Sequence, residues 1–146
     1  MKIVLQRVSK ASVIVDKVTL NSIEKGYMLL VSFTHSDTME QVVKMAKKVS
    51  NLRVFEDENN KLNLSIKDVN GSILSISQFT LYGDASKGNR PSFVESMKFD
   101  EANKLYEAFN KELNEVHNIV TKGGSFGNHM EIDLVNDGPV TIILEM

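Results

Sequence analysis

Asn136-Asp137-Gly138-Pro139-Val140-Thr141 decides how the C-terminal part of this chain folds. Two runs of strand character flank it, residues 130–135 and 140–145. Asp-Gly between alternating apolar residues is a strong short-range turn signal. The local pattern therefore predicts a β-hairpin with Asp137-Gly138 at its tip. Pro139 has no N–H to give a ladder, so it belongs at a strand start or an edge. Gly-Pro also joins the most permissive residue to the only residue that readily takes a cis bond.

Working outward, residues 72–81 read as one β run, ending in Ser77-Gln78-Phe79-Thr80-Leu81. Residues 3–8 and 11–15 read as two short strands separated by Ser9-Lys10, and 18–23 continues the sheet. The unbroken apolar run 27–33 fits a strand buried on both faces. A helix is expected after Asp37, which can cap it, with Glu40 in capping-box spacing. Met39, Val42, Val43, Ala46 and Val49 form its apolar stripe. Residues 53–55 form a short strand, 62–66 a strand or irregular segment, and Asn70-Gly71 a turn. A second helix is expected to be capped by Asp100 and to carry Leu105, Phe109 and Leu113 inward. Residues 117–121 then read as a strand. The fold class that follows is α/β: one domain over residues 1–146, with mixed or antiparallel sheet layers and two main helices on one side.

Composition narrows the function. The chain has 146 residues, 42% apolar and 25% charged, which is ordinary for a globular protein. It has no cysteine, so disulfides, thiolate metal sites and a cysteine nucleophile are excluded. No apolar run approaches a membrane span, and the first residues lack the apolar stretch of a signal peptide; the expected location is cytoplasmic. A net charge of −2 argues against broad gripping of nucleic-acid backbone. A local basic patch touching a few phosphates remains compatible with it.

Four features could carry chemistry. Gly123-Gly124-Ser125-Phe126-Gly127 matches the G-x-S-x-G nucleophile elbow, but a strand rather than a helix follows it and no histidine lies beyond the downstream acids. His35, His117 and His129 lack the paired spacing of metal ligands, so no metal is expected. The loop from Gly83 to Pro91 holds Lys87 and Arg90 but lacks the G-K-[ST] ending of a phosphate-binding P-loop. Two cations there suit either a phosphate contact or a solvated surface. Ser77, Gln78, Phe79 and Thr80 offer hydroxyls, an amide and backbone N–H groups where a strand gives out. Such a set can orient a polar substrate and hold an oxyanion, without any strong general base.

Together these pieces resemble the D-aminoacyl-tRNA deacylases over essentially the whole chain. The resemblance rests on Leu5-Gln6-Arg7-Val8, Ser77-Gln78-Phe79-Thr80-Leu81, Lys87-Gly88-Asn89-Arg90-Pro91 and Asn136-Asp137-Gly138-Pro139-Val140-Thr141. Gly123 and Asn128 depart from that family's pattern, which commonly has threonine and alanine there, whereas Phe126 and Met130 fit. The resemblance implies a three-layer β/β/α fold. It implies a homodimer with active sites at the interface, acting on the 3′ end of aminoacyl-tRNA without a cofactor. It implies hydrolysis of D-aminoacyl-tRNA, and of mischarged glycyl-tRNA, with rejection of L-aminoacyl-tRNA. Catalysis is expected at Ser77, Gln78, Phe79 and Thr80. Chiral selection falls to a cis Gly138-Pro139 pair with Phe126 and Met130, and phosphate contacts to Lys87, Arg90 and Arg7. The competing readings are a non-catalytic dimeric module that binds a nucleotide or amino acid, and a serine esterase built on Ser125.

Overall fold

β1 (Lys2–Val15) is the strand on which the sheet is built. The computed structural model describes residues 1–146. Along one edge β1 pairs antiparallel with β2 (Val18–Ile23) and then with β3 (Gly26–Ser32). Along its other edge it pairs over almost its full length with β8 (Glu131–Glu145). β3 continues in parallel to β6 (Ser72–Ser77), and β6 in parallel to β7 (Thr121–Gly123). The two parallel steps need crossovers. The first contains α1 (Met39–Asn51) and a small antiparallel pair, β4 (Arg53–Glu56) and β5 (Leu62–Ser65). The second contains α2 (Phe99–Lys111). No helix is long and apolar enough to cross a membrane.

The expected break at Ser9-Lys10 is a β-bulge, not a gap between strands. Against β8, Val8 pairs with Asn136 and Lys10 with Val135, so β1 carries one extra residue. An extra residue flips which face the following side chains occupy. Ile3 and Leu5 thus face one core while Ala11 and Val13, also odd-numbered, face another. The first core lies between the sheet and the helices and includes Tyr27, Leu29, Ile73, Val49 and Phe109. The second lies between two walls of the sheet and includes Val13, Met28, Leu74 and Ile76. Two sheet layers and one helical layer result, as the alternation of strands and helices implies.

The predicted hairpin does not exist. Residues Glu131–Glu145 form one strand, and their partners on β1 run in a single direction from Ile14 to Lys2. Where Gln6 pairs with Thr141 and Val8 with Asn136, Asp137–Val140 bulge outward opposite Arg7. The Gly138–Pro139 peptide in this bulge is cis, and Gly138 has φ +131°. Asp-Gly-Pro is spent here on a bulge, because β1 supplies a continuous partner on both sides of it. Arg7 holds it in place. Its Nε–H donates to the Asp137 carbonyl at 2.9 Å and its Nη1–H to the Val54 carbonyl at 2.7 Å. The side chain is 5% exposed, with Glu56 and Asp137 carboxylates at 3.6 and 3.4 Å. The Arg7 side chain, expected to meet a tRNA phosphate, is buried here and spends its Nε–H and an Nη1–H on the Asp137 and Val54 carbonyls.

Other boundaries shift for local reasons. Thr38, not Asp37, caps α1, and its capping-box partner is Gln41. Asp37 is buried instead, accepting from the Met1 α-ammonium at 2.5 Å and from the Thr34 N–H at 2.7 Å. Met45 replaces Met39 and Val43 in the buried stripe, both of which are exposed. α2 begins at Phe99 with no side-chain cap, and Asp100 sits in its first turn. The expected strand at 117–121 is irregular chain after a π-turn, Glu112–Val116, and the strand there, β7, begins only at Thr121. β6 stops at Ser77, where a 3-10 turn, Phe79–Tyr82, takes over the rest of the predicted run.

Two predictions follow from this packing. Arg7→Leu removes two carbonyl partners from a closed site and is expected to cost about 2 kcal/mol of stability, read as a lower urea midpoint. His117 packs against Ser50 Oγ at 3.3 Å, and its Nε2 is buried without a hydrogen-bond partner. Burial holds its pKa below the ordinary 6.5. The unfolded chain therefore takes up a proton first, and stability falls as pH drops from about 6.5 toward the lowered value. His117→Asn should lose that part of the pH slope in denaturant titrations.

Candidate active site

A cavity of about 500 Å³ opens where β3 and β6 end. Its floor is the sheet, through Val31, Ile76 and Ile132. One wall comes from the start of α2, through Phe99 and Ala102, and another from the loop between β7 and β8. Apolar residues dominate the lining, with a few polar groups at the strand ends, the usual make-up of a small-molecule site.

Ser77, Gln78 and Phe79 line the cavity. Thr80 follows them in the 3-10 turn, where its Oγ1 accepts from Gln78 Nε2 at 2.5 Å. The local backbone decides what this segment offers. The Gln78 N–H donates to the Val31 carbonyl at 2.8 Å, which is the last rung of the sheet. The Leu81 N–H turns back to the Gln78 carbonyl at 3.2 Å, and the Gly83 N–H to that of Thr80 at 2.9 Å. Between them, the N–H groups of Phe79 and Thr80 have no acceptor in the protein. A helical turn leaves its first donors unpaired by construction. Here two such donors are adjacent to the cavity.

Phe126 and Met130 also line the cavity. Phe126 is held edge-on by Phe99, with ring centres 5.0 Å apart, and tilted against Tyr106 at 5.5 Å. Tyr106 is buried and its hydroxyl donates to the Ser75 carbonyl at 2.6 Å, so this wall is tied to β6. Met130 receives the Ser125 N–H at its sulfur at 3.3 Å. Gly127 adopts φ +77°, and a Cβ there would lie 2.3 Å from the Phe99 ring. The loop therefore closes over Phe99 only with glycine at that position. Asn128 lines the cavity and donates from Nδ2 to Ser125 Oγ at 2.7 Å. The departure at Asn128 thus places an amide at the cavity mouth. Gly123 lies in β7, under the Tyr106 hydroxyl and the Asn110 amide.

Ser125 is no nucleophile elbow. The chain goes from its loop into β8, not a helix, and Ser125 Oγ bonds to Asn128 rather than to a histidine. His35 and His117 are engaged with the Val94 carbonyl and Ser50. His129 is the one ionisable side chain lining the cavity. No three His, Cys, Asp or Glu residues stand close enough together to hold a metal ion.

The remaining expected site residues lie outside this cavity. Gly138 and Pro139 are exposed on the β8 bulge. Lys87 and Arg90 are exposed on a loop pinned at its base by Asp84 and Ser92, whose backbones exchange hydrogen bonds at 2.8 Å. Sequence reasoning missed the lining from Val31, Ser32, Phe33 and Phe99. Those residues read as ordinary core or loop, and only the fold brings them to the strand ends.

The geometry can be compared with known proteins. The sequence model of the D-Tyr-tRNA(Tyr) deacylase family matches residues 4–145. A D-aminoacyl-tRNA deacylase from Exiguobacterium sibiricum is 55% identical over 145 residues, covering 99% of each chain. Among solved structures, a c-Myc DNA unwinding element binding protein superposes with a TM-score of 0.94 at 40% identity, covering 100% of this chain and 99% of that one. A probable eukaryotic D-amino acid tRNA deacylase shares the fold, with a TM-score of 0.87 at 17% identity over 99% of this chain and 98% of that one. On the strength of a family match across nearly every residue, this chain belongs to the D-Tyr-tRNA(Tyr) deacylase family.

Proposed function

We propose that this protein hydrolyses the ester joining a D-amino acid to the 3′ end of tRNA. The observation that carries this reading is the pair of unpaired N–H groups at Phe79 and Thr80, beside a cavity without an acid–base pair. An aminoacyl ester is already activated, so positioning and oxyanion stabilisation can supply the catalysis. In this mechanism the two N–H groups take the ester carbonyl oxygen. Water adds to the carbonyl carbon, and the negative charge develops on the oxygen they hold. The C–O bond to the ribose 3′-oxygen then breaks, and the proton lost by the water passes to that oxygen. In this reading the ribose 2′-hydroxyl relays it. Thr80 has no histidine, carboxylate or amine hydrogen-bonded to its hydroxyl, so it orients water or substrate rather than attacking.

Chiral selection in this reading needs a second copy of the chain. Gly138 and Pro139 lie outside their own chain's cavity. β8 is fifteen residues long, is paired on one edge only, and leaves Val135 and Ile143 exposed. Long open edges invite pairing. A homodimer would bring the bulge of one protomer to the cavity of its partner, where backbone would reject an L side chain by collision. Such a wall also admits glycine, which has no side chain to reject. In this reading the exposed Lys87 and Arg90 meet phosphates near the tRNA end, in the cytoplasm where charged tRNA is used.

Incubation with D-Tyr-tRNA and L-Tyr-tRNA tests the function. Rapid loss of the D ester alone is expected, and equal persistence of both would overturn the reading. Gly138→Ala tests the wall: a Cβ there would lie 2.9 Å from the Val140 nitrogen and 3.2 Å from Arg7 Nη2. D-ester turnover should fall by about 10²-fold in a variant whose circular dichroism is unchanged. Full, D-selective activity in Gly138→Ala would exclude the role assigned to Gly138.

A further inference from the structure

We propose that Ser96, seconded by Ser32, is a positioning residue for the oxyanion site, an inference that rests on the function proposed above. Its basis is which peptide groups present the free donors. The Thr80 N–H belongs to the same planar unit as the Phe79 carbonyl. That carbonyl accepts from Ser96 Oγ–H at 3.0 Å and, more weakly, from Ser32 Oγ–H at 3.4 Å. The Phe79 N–H belongs to the same unit as the Gln78 carbonyl, which the Leu81 N–H holds at 3.2 Å. Both donors are thus fixed from behind, by bonds to the carbonyl at the other end of each peptide.

Ser96 is itself held firmly. It pairs with Thr34 across an isolated bridge, and the Thr34 hydroxyl donates to the Glu95 carbonyl at 2.7 Å. The Met97 N–H donates to the Phe33 carbonyl at 3.0 Å. The same strap carries Phe93, whose ring meets that of Phe79 edge-on with centres 5.2 Å apart. Phe79 is therefore gripped at its ring and at its carbonyl by one short segment. Ser32 is 1% exposed, and the Phe79 carbonyl is the acceptor its hydroxyl finds. A hydroxyl bonded to the carbonyl does two things. It stops the peptide from rotating, and it polarises the unit so that its N–H becomes a stronger donor. Preorganised donors act without reorganising at the moment of reaction.

Ser96→Ala is expected to lower kcat on D-Tyr-tRNA by about tenfold, less than the loss of about 10²–10³ from removing an oxyanion donor outright. KM should stay within about twofold, because ground-state contacts are kept. Ser96→Thr, which retains the hydroxyl, should restore most of the rate. The spectroscopic readout is the carbonyl stretch of D-tyrosine joined by a ¹³C-labelled amide to 3′-amino-3′-deoxyadenosine. Bound to wild type it should be shifted to lower frequency, and bound to Ser96→Ala the shift should shrink. Unchanged kcat, a change in KM alone, or an identical stretch would overturn the inference. If Ser96→Ala loses its fold, Ser32→Ala decides by the same measurements, with a smaller fall expected. A wild type inert on D-Tyr-tRNA would overturn the proposed function and this inference together, whereas an active wild type with an unaffected Ser96→Ala would overturn this inference alone.

Discussion

The guanidinium of Arg7 is the point on which the architecture turns. It joins three elements that are far apart in sequence: β1, the β8 bulge and β4. Without it, the buried Val54 carbonyl and the half-buried Asp137 carbonyl would lose this partner, and leaving a buried acceptor unpaired costs more than the bond itself returns. Its planar fork reaches both carbonyls at once, a geometry lysine cannot reproduce. The clamp lets a fifteen-residue strand carry a four-residue excursion and still pair with β1 on both sides. That is how a turn-like peptide comes to be displayed from the middle of a strand.

The cavity end of the molecule is built on the opposite idea, groups left free. β6 gives up its last rung at Gln78 and the chain tightens into a 3-10 turn. The two donors released there are held in place, because the Gln78, Phe79 and Thr80 carbonyls each accept a hydrogen bond. Phe79 and Thr80 are exposed, so water can meet their free N–H groups until a ligand oxygen takes its place. The same segment lacks any strong base, which suits an ester that water can attack once its carbonyl is polarised. Rigid display at one end and open donors at the other are two halves of one site if two chains meet.

Much of this was legible in the residues. The run 27–33, apolar apart from Ser32, fits a strand buried on both faces because it is too short for a helix of its own. Val42, Ala46 and Val49 set the buried side of α1 by their spacing. The signature around Ser77–Thr80 pointed to donors at a strand end before any geometry was known. What escaped were the competitions between equally good local partners. Thr38 and Asp37 can both cap a helix, and the buried Met1 ammonium drew Asp37 away. Ser96 and Ser32 had no pattern at all, because their role exists only through a peptide contributed by another element.

Asn136–Thr141 shows the division most plainly. The sequence by itself determined that this stretch leaves regular strand geometry, because proline cannot feed a ladder and glycine permits the φ it adopts. It also determined the family, through peptides spread along the whole chain. Only the tertiary structure decided that the chain goes straight on rather than turning back. The reason is that β1 offers partners on both sides of the bulge and Arg7 fills the space beneath it. Turn chemistry is local, but whether a strand reverses depends on what lies alongside it.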